Sequence, residues 1–196
     1  MEKTLDLRIQ KTYMALYEAF LEMLSEQNFE DITVNELCDR AMVRRATFYK
    51  HFADKYDFFG FFIRRTHDIF SEEFPKQESS TSLTDYYAYL FERFLLFLKK
   101  HRTIINHVIE SRMFPTVIEI LADEMQQDVV INIKKLQEQE EITSIAPEIP
   151  AAFYTGGILQ TLYNWILSPN PLPEDELIKG IHQLLYSFSI GSKTLL

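Results

Sequence analysis

Residues 33–52 read TVNELCDRAMVRRATFYKHF. Thr33 is a good helix N-cap, and Glu36 three residues on completes a capping box, in which each side chain satisfies an amide of the other residue. Val34, Leu37, Cys38 and Ala41 follow at i, i+3, i+4 and i+7, one buried helical stripe, so the spacing predicts a helix from Val34 to Ala41. Met42-Val43-Arg44 breaks the pattern. A second short helix runs from Arg45 to Phe52, with Phe48 and Phe52 on one face. Two short helices joined by a three-residue turn make a helix-turn-helix. Its second helix exposes Arg44, Arg45, Thr47, Tyr49, Lys50 and His51, which suits a recognition helix lying in a DNA major groove.

Charge points the same way. Between Arg40 and Lys55 stand Arg40, Arg44, Arg45, Lys50 and Lys55 against Asp54 alone, in a chain whose net charge is −9. DNA binding needs cations aimed at phosphates, and a few local ones suffice. The plain alternative is a solvated basic surface on an ordinary helical hairpin. The order Thr-Phe-Tyr-Lys-His-Phe directly after a two-helix pattern favours DNA.

The totals exclude several classes. The chain has 196 residues, 46% hydrophobic and 25% charged, as in soluble globular proteins. Five glycines among plentiful Leu, Ile, Glu, Lys and Gln favour helix. One cysteine, Cys38, forbids an internal disulfide and fits a reducing, cytoplasmic setting; its place on the buried stripe reads as core. The N-terminus lacks a basic-then-apolar signal pattern. Residues 149–173 carry no formal charge, but the helical part, 151–167, is too short and too polar to span a bilayer. The five histidines are scattered, and there is no glycine-rich phosphate loop, metal-ligand cluster or Ser-His-Asp or Cys-His spacing. No enzyme, cofactor or metal site is implied.

Taken in order, the chain reads as all-α with about nine helices. The first runs from Asp6 to Glu26, with Ile9, Tyr13, Leu16, Phe20 and Met23 as its apolar stripe and Lys3, Arg8 and Lys11 near its start. Asn28 to Ile32 turns the chain into the motif. A fourth helix, capped by Asp54, continues to Phe74 and is apolar nearly all round, so it links the DNA-binding part to the rest. Residues 75–82 read as a polar loop. Helices are expected over 84–101, 103–112, 115–140, 151–167 and 174–190, with 142–150 a loop and 168–173 a stiff turn. A helix-turn-helix DNA-binding domain, 1–55, is therefore followed by a larger helical body, 56–196.

Residues 29–59, FEDITVNELCDRAMVRRATFYKHFADKYDFF, closely resemble the DNA-binding domain of the TetR family of bacterial transcriptional regulators. Phe29, Thr33, Val34, Leu37, Ala41, Val43, Thr47, Phe48, Tyr49, His51, Phe52 and Lys55 carry the resemblance. The C-terminal part resembles a branch of the family from low-GC Gram-positive bacteria. Two positions depart from the pattern: Met42 stands where the turn usually has Gly, and Arg44 where the second helix usually has a Ser-like cap. Each departure costs about 1 kcal/mol in a typical helix end. Arg44 also offers an extra phosphate or guanine contact. The resemblance implies that Lys55 touches a phosphate. The expected DNA-contacting set is Thr33, Arg44, Arg45, Ala46, Thr47, Tyr49, Lys50, His51 and Lys55.

The resemblance also implies that the body, 56–196, is a helical ligand-binding and dimerisation domain with an effector cavity. Residues 58–97 hold twelve of the 27 aromatics, which read as a filled core or as the lining of a cavity between the fourth, fifth, seventh and eighth helices. Its candidate polar anchors are His67, Tyr89, Arg93, His107, Arg112, Tyr154, Gln160 and Asn164; His107, among Ile104, Ile105 and Val108, also reads as a satisfied core histidine. Gly156-Gly157 inside a helix calls for a close packing partner. With Trp165, Ile181, Leu184, Leu185 and Phe188 they suggest a four-helix interface between two copies. The expected function is a homodimeric, TetR-type regulator of a palindromic double-stranded DNA operator, most simply a repressor released by an unknown small-molecule effector, with no membrane partner. A transcriptional activator, or a ligand-independent adaptor acting through a protein partner, fits the same residues.

Overall fold

The structure is a computed structural model that describes residues 7–73, 83–138 and 146–187. The expected contacts of Lys3 and Phe188 and the 75–82 loop lie outside the described residues. Among those described, nine α-helices and one short 3-10 turn account for the secondary structure, with no strand. They are α1 (Leu7–Glu26), the turn Phe29–Asp31, α2 (Val34–Arg40), α3 (Arg45–His51), α4 (Lys55–Glu73), α5 (Leu83–Lys100), α6 (Arg102–Glu110), α7 (Phe114–Glu138), α8 (Glu148–Leu167) and α9 (Glu174–Ser187). The all-α expectation holds. Most described boundaries shift by one or two residues; the largest shift is at α8, which begins at Glu148, not Ala151, because Pro150 sits in its first turn, where the missing N–H has no partner to lose.

The helices form two compact units, residues 1–66 with 100–117 and residues 67–99 with 118–196. In the first, Phe20 of α1 is fully buried and meets Phe29, Phe58, Phe59 and Phe62 at ring-centroid distances of 6.3, 5.2, 6.0 and 4.9 Å. Edge-on and tilted pairs of this kind add about 0.5–1.5 kcal/mol each beyond their buried area. Phe48 of α3 and Phe58 of α4 are 5.7 Å apart, which ties the helix-turn-helix to the same cluster. α6 closes the unit. Its Val108 is buried, His107 Nδ1 donates to the carbonyl of Leu24 at 2.7 Å, and the Arg112 amide donates to Glu30 Oε1 at 2.8 Å.

The second unit buries Ala88, Phe91 and Leu95 of α5 against Leu162 of α8 and Leu177, Ile181 and Leu185 of α9. Val129 and Ile133 of α7 pack with Ala151 of α8, and Tyr87 touches both groups. The inner face of α8 is Ala151, Thr155, Leu159 and Leu162, a helical repeat. Its other face leaves Ile149, Phe153 and Leu167 exposed. No helix of the described residues is long and apolar enough to cross a membrane.

Candidate nucleic-acid interface

The capping box forms as the sequence requires. Thr33 Oγ1 accepts from the Glu36 amide at 3.2 Å and donates to Glu36 Oε2 at 2.7 Å, while the Thr33 amide donates to the same carboxylate at 3.0 Å. These bonds hold the Glu36 carboxyl below the usual carboxylate range. The Thr33 hydroxyl is thus already both donor and acceptor within α2.

At its other end α2 closes with a Schellman motif. The Val43 amide donates to Cys38 O at 2.9 Å and the Met42 amide to Asp39 O at 3.2 Å. The motif demands a left-handed residue between them, and Met42 occupies it with φ 53°. This is the position where glycine is absent. The Met42 side chain is 94% exposed, so no packing offsets the conformation. Cys38 is buried, and burial, helped by the neighbouring Asp39 charge, pushes its thiol pKa up.

Arg44 is the N-cap of α3 and makes no side-chain cap bond, since a guanidinium has no acceptor. α3 itself buries Phe48 and leaves Arg45, Ala46, Tyr49 and Lys50 exposed, with Thr47 and His51 half-buried. One face is anchored in the aromatic core, and the other presents cations, hydroxyls and one aromatic ring, 55% exposed at Tyr49.

Three features were not visible in the sequence. Lys55 Nζ donates to three backbone carbonyls, Phe29 at 3.1 Å, Glu30 at 2.8 Å and Ile32 at 2.9 Å, and sits 4.8 Å from the centre of the Phe29 ring. All three N–H groups of its ammonium are engaged inside the chain, fastening the 29–32 turn. Arg40 is paired with Glu26 of α1. Tyr13 of α1 reaches His51, its hydroxyl 3.4 Å from Nδ1 and its ring edge-on at 5.3 Å.

The candidate effector anchors divide between the two units. His107 and Arg112 belong to the first unit and serve the α1–α6 packing. The other six lie in the second. There, His67 Nε2 is 3.5 Å from Asp128 Oδ2, where burial raises the Asp128 pKa against the lowering pull of His67. The Arg93 guanidinium lies 5.0 Å from the centre of the Tyr89 ring. Tyr154 packs half-buried against the core, and burial raises its phenol pKa. Gln160 and Asn164 are exposed and bond to each other at 3.0 Å. An open groove of about 950 Å³ runs between α5 and α9, lined by Glu92, Asp175, His182 and Tyr186 among others.

The expected interface residues also divide. Ile181 and Leu185 lie in the protomer's own core, because they share the row of Leu177 at four-residue spacing. Trp165 is half-buried and donates from Nε1 to Leu172 O at 2.7 Å. Gly156, Gly157 and Leu184 face outward, and a Cβ added at either glycine would meet no atom within 4 Å.

Comparison with known proteins places this geometry. The family described as bacterial regulatory proteins, tetR family, matches residues 16–60, and the TetR-type transcriptional regulator C-terminal region matches residues 85–187, more than half of the chain. An uncharacterized HTH-type transcriptional regulator, YxbF of Bacillus subtilis (strain 168), is 39% identical over 66 residues, covering 33% of this chain and only 17% of that relative. A solved TetR transcriptional regulator from Streptococcus agalactiae 2603V is 25% identical with a TM-score of 0.56, over 91% of this chain and 95% of its own. Lin0861 from Listeria innocua shares the fold at 24% identity and a TM-score of 0.61, over 96% of this chain and 97% of its own. The matched family, YxbF and the Streptococcus agalactiae protein are described as transcriptional regulators, not enzymes, and DNA is the partner of that family. With an N-terminal and a C-terminal match on one chain, this protein belongs to the TetR family of bacterial transcriptional regulators.

Proposed function

We propose that the protein binds a palindromic operator as a homodimer and acts as a cytoplasmic repressor released by a small molecule. The observation that carries this reading is α3: a helix fixed through Phe48 to an aromatic core, with Arg44, Arg45, Ala46, Tyr49 and Lys50 exposed beside Thr47 and His51. These side chains supply both phosphate cations and base-edge donors. Thr33 and Lys55 then act chiefly by holding α2 and the 29–32 turn in place.

Dimerisation is proposed through the outward face of α8, with Ile149, Phe153, Gly156, Gly157 and Leu167, and through Leu184 of α9. Glycines open to solvent in one copy allow another helix to approach closely. Two-fold symmetry then offers two recognition helices to two half-sites. The effector is proposed to bind in the second unit near His67, Tyr89, Arg93 and Tyr154. α4 carries residues of both units and is the proposed transmitter. Release requires that the effector bind the two states with different affinity.

Selection of bound duplexes from a random pool tests the reading. An enriched palindrome supports a dimeric reader; enrichment of single half-sites, or none, defeats it. The open α5–α9 groove favours a second reading, in which a protein partner replaces the small molecule. An operator complex that no small molecule dissociates, but a co-purifying protein does, selects that alternative.

A further inference from the structure

His51 ends α3, and Nδ1 of its ring faces the Tyr13 hydroxyl of α1 at 3.4 Å. Tyr13 is itself held in place: its ring lies 5.5 Å from Phe52 and 5.0 Å from Phe61 of α4. The His51 ring meets it edge-on, at 87° between planes. A neutral imidazole has one N–H and one bare nitrogen, and the bond made by one nitrogen decides the state of the other. When the phenol O–H donates to Nδ1, the ring proton is on Nε2. Nε2 has no partner among the described residues, and His51 itself is only half-buried in α3's last turn.

We propose that Tyr13 is a positioning residue for DNA recognition: its phenol fixes the ring plane and tautomer of His51 so that Nε2–H is offered as a donor to a phosphate oxygen. The chemistry leaves one useful arrangement. Phosphate oxygens only accept, so a bare Nε2 lone pair would face them with repulsion, whereas an Nε2–H donates. A residue on α1, outside the helix-turn-helix, thereby sets the hydrogen-bonding character of the recognition helix. The proposal rests on the assignment of His51 to the DNA-facing surface, and its test separates the two.

Long-range proton–nitrogen correlation spectra of the free protein report the tautomer without DNA, with His51→Gln identifying the signals. The expected result is the Nε2–H form in the native chain and a tautomer mixture in Tyr13→Phe, which keeps the ring packing. For a duplex selected from a random pool, Tyr13→Phe should weaken binding about fivefold, the loss expected of one oriented hydrogen bond. In a His51→Ala background the same change should add nothing. An Nδ1–H tautomer in the native chain overturns the proposal, as do losses that simply add. Native affinity in His51→Ala, which has no donor, overturns it differently: the tautomer stands, and His51 is removed from the interface.

Discussion

Arg40 and Glu26 are joined by two parallel hydrogen bonds, Nη1 to Oε1 at 2.8 Å and Nη2 to Oε2 at 2.7 Å. Arg40 is one of the five cations that make residues 40–55 stand out, yet an anion on α1 neutralises it. Glu26→Gln should therefore strengthen binding to nonspecific duplexes and steepen the log–log salt slope by up to about 1. The denaturation midpoint at neutral pH should barely move, because exposed pairs add little. The bond from Arg40 holds the Glu26 carboxyl below its ordinary range. The pair's contribution is thus present above that range and lost as pH falls through the lowered one. An unchanged salt slope argues that Arg40 faces away from DNA.

Met42 holds a left-handed conformation with no packing to compensate. Met42→Gly should stabilise the protein by about 0.5–1 kcal/mol, the relief of strain less the extra freedom of glycine in the unfolded chain. Met42→Val should destabilise it, since a β-branched side chain tolerates positive φ worst. Chemical denaturation of the three proteins decides the matter, and equal midpoints would mean that the turn relaxes at no cost.

Lys55 and Arg45 should separate cleanly. Lys55→Met strips a charged donor from three carbonyls, so it should lower stability by about 1–3 kcal/mol. The salt slope of DNA binding should stay where it is. Arg45→Ala should do the opposite, leaving the midpoint and reducing the slope by about 1. A stable Lys55→Met with a shallower slope would assign its ammonium to a phosphate after all.

Leu184 and Leu185 are neighbours with opposite surroundings, exposed and buried respectively. Leu185→Ala should cost about 2–5 kcal/mol by opening a cavity in the core. Leu184→Glu should keep the helix content and dissociate the proposed dimer. Sedimentation velocity beside circular dichroism reads both, and a dimeric Leu184→Glu protein would place the interface elsewhere.

Local rules made much of this legible. The Thr33–Glu36 box, the Asp54 cap and the strain at Met42 follow from residues within four positions of one another, where helix geometry admits few alternatives. Asp54 Oδ1 does accept from the Tyr56 and Asp57 amides, at 2.8 and 2.9 Å. Partners far along the chain were not legible. Nothing in spacing tells Lys55 to choose carbonyls 23 to 26 residues back, or Tyr13 to choose His51. The sorting of α9 lies between these cases. Leu177, Ile181, Leu184 and Leu185 share one stripe at i, i+4, i+7 and i+8, so the repeat marked an apolar face, but which of its edges stays exposed, here Leu184, is decided only when neighbours cover the rest.

The return of residues 100–117 to the first unit bears on how the chain is made and exchanged. During synthesis the DNA-reading half cannot be completed when residue 66 appears. His107, Val108 and Arg112 are translated only after all of α5, so the groups they meet at Leu24 and Glu30 wait, half-covered, for a later segment. A gene fusion cut just after α4 would leave those partners behind. Any graft of this operator-reading specificity onto another regulator must carry two separate stretches of the gene, or a recipient whose own sixth helix fits the α1 surface.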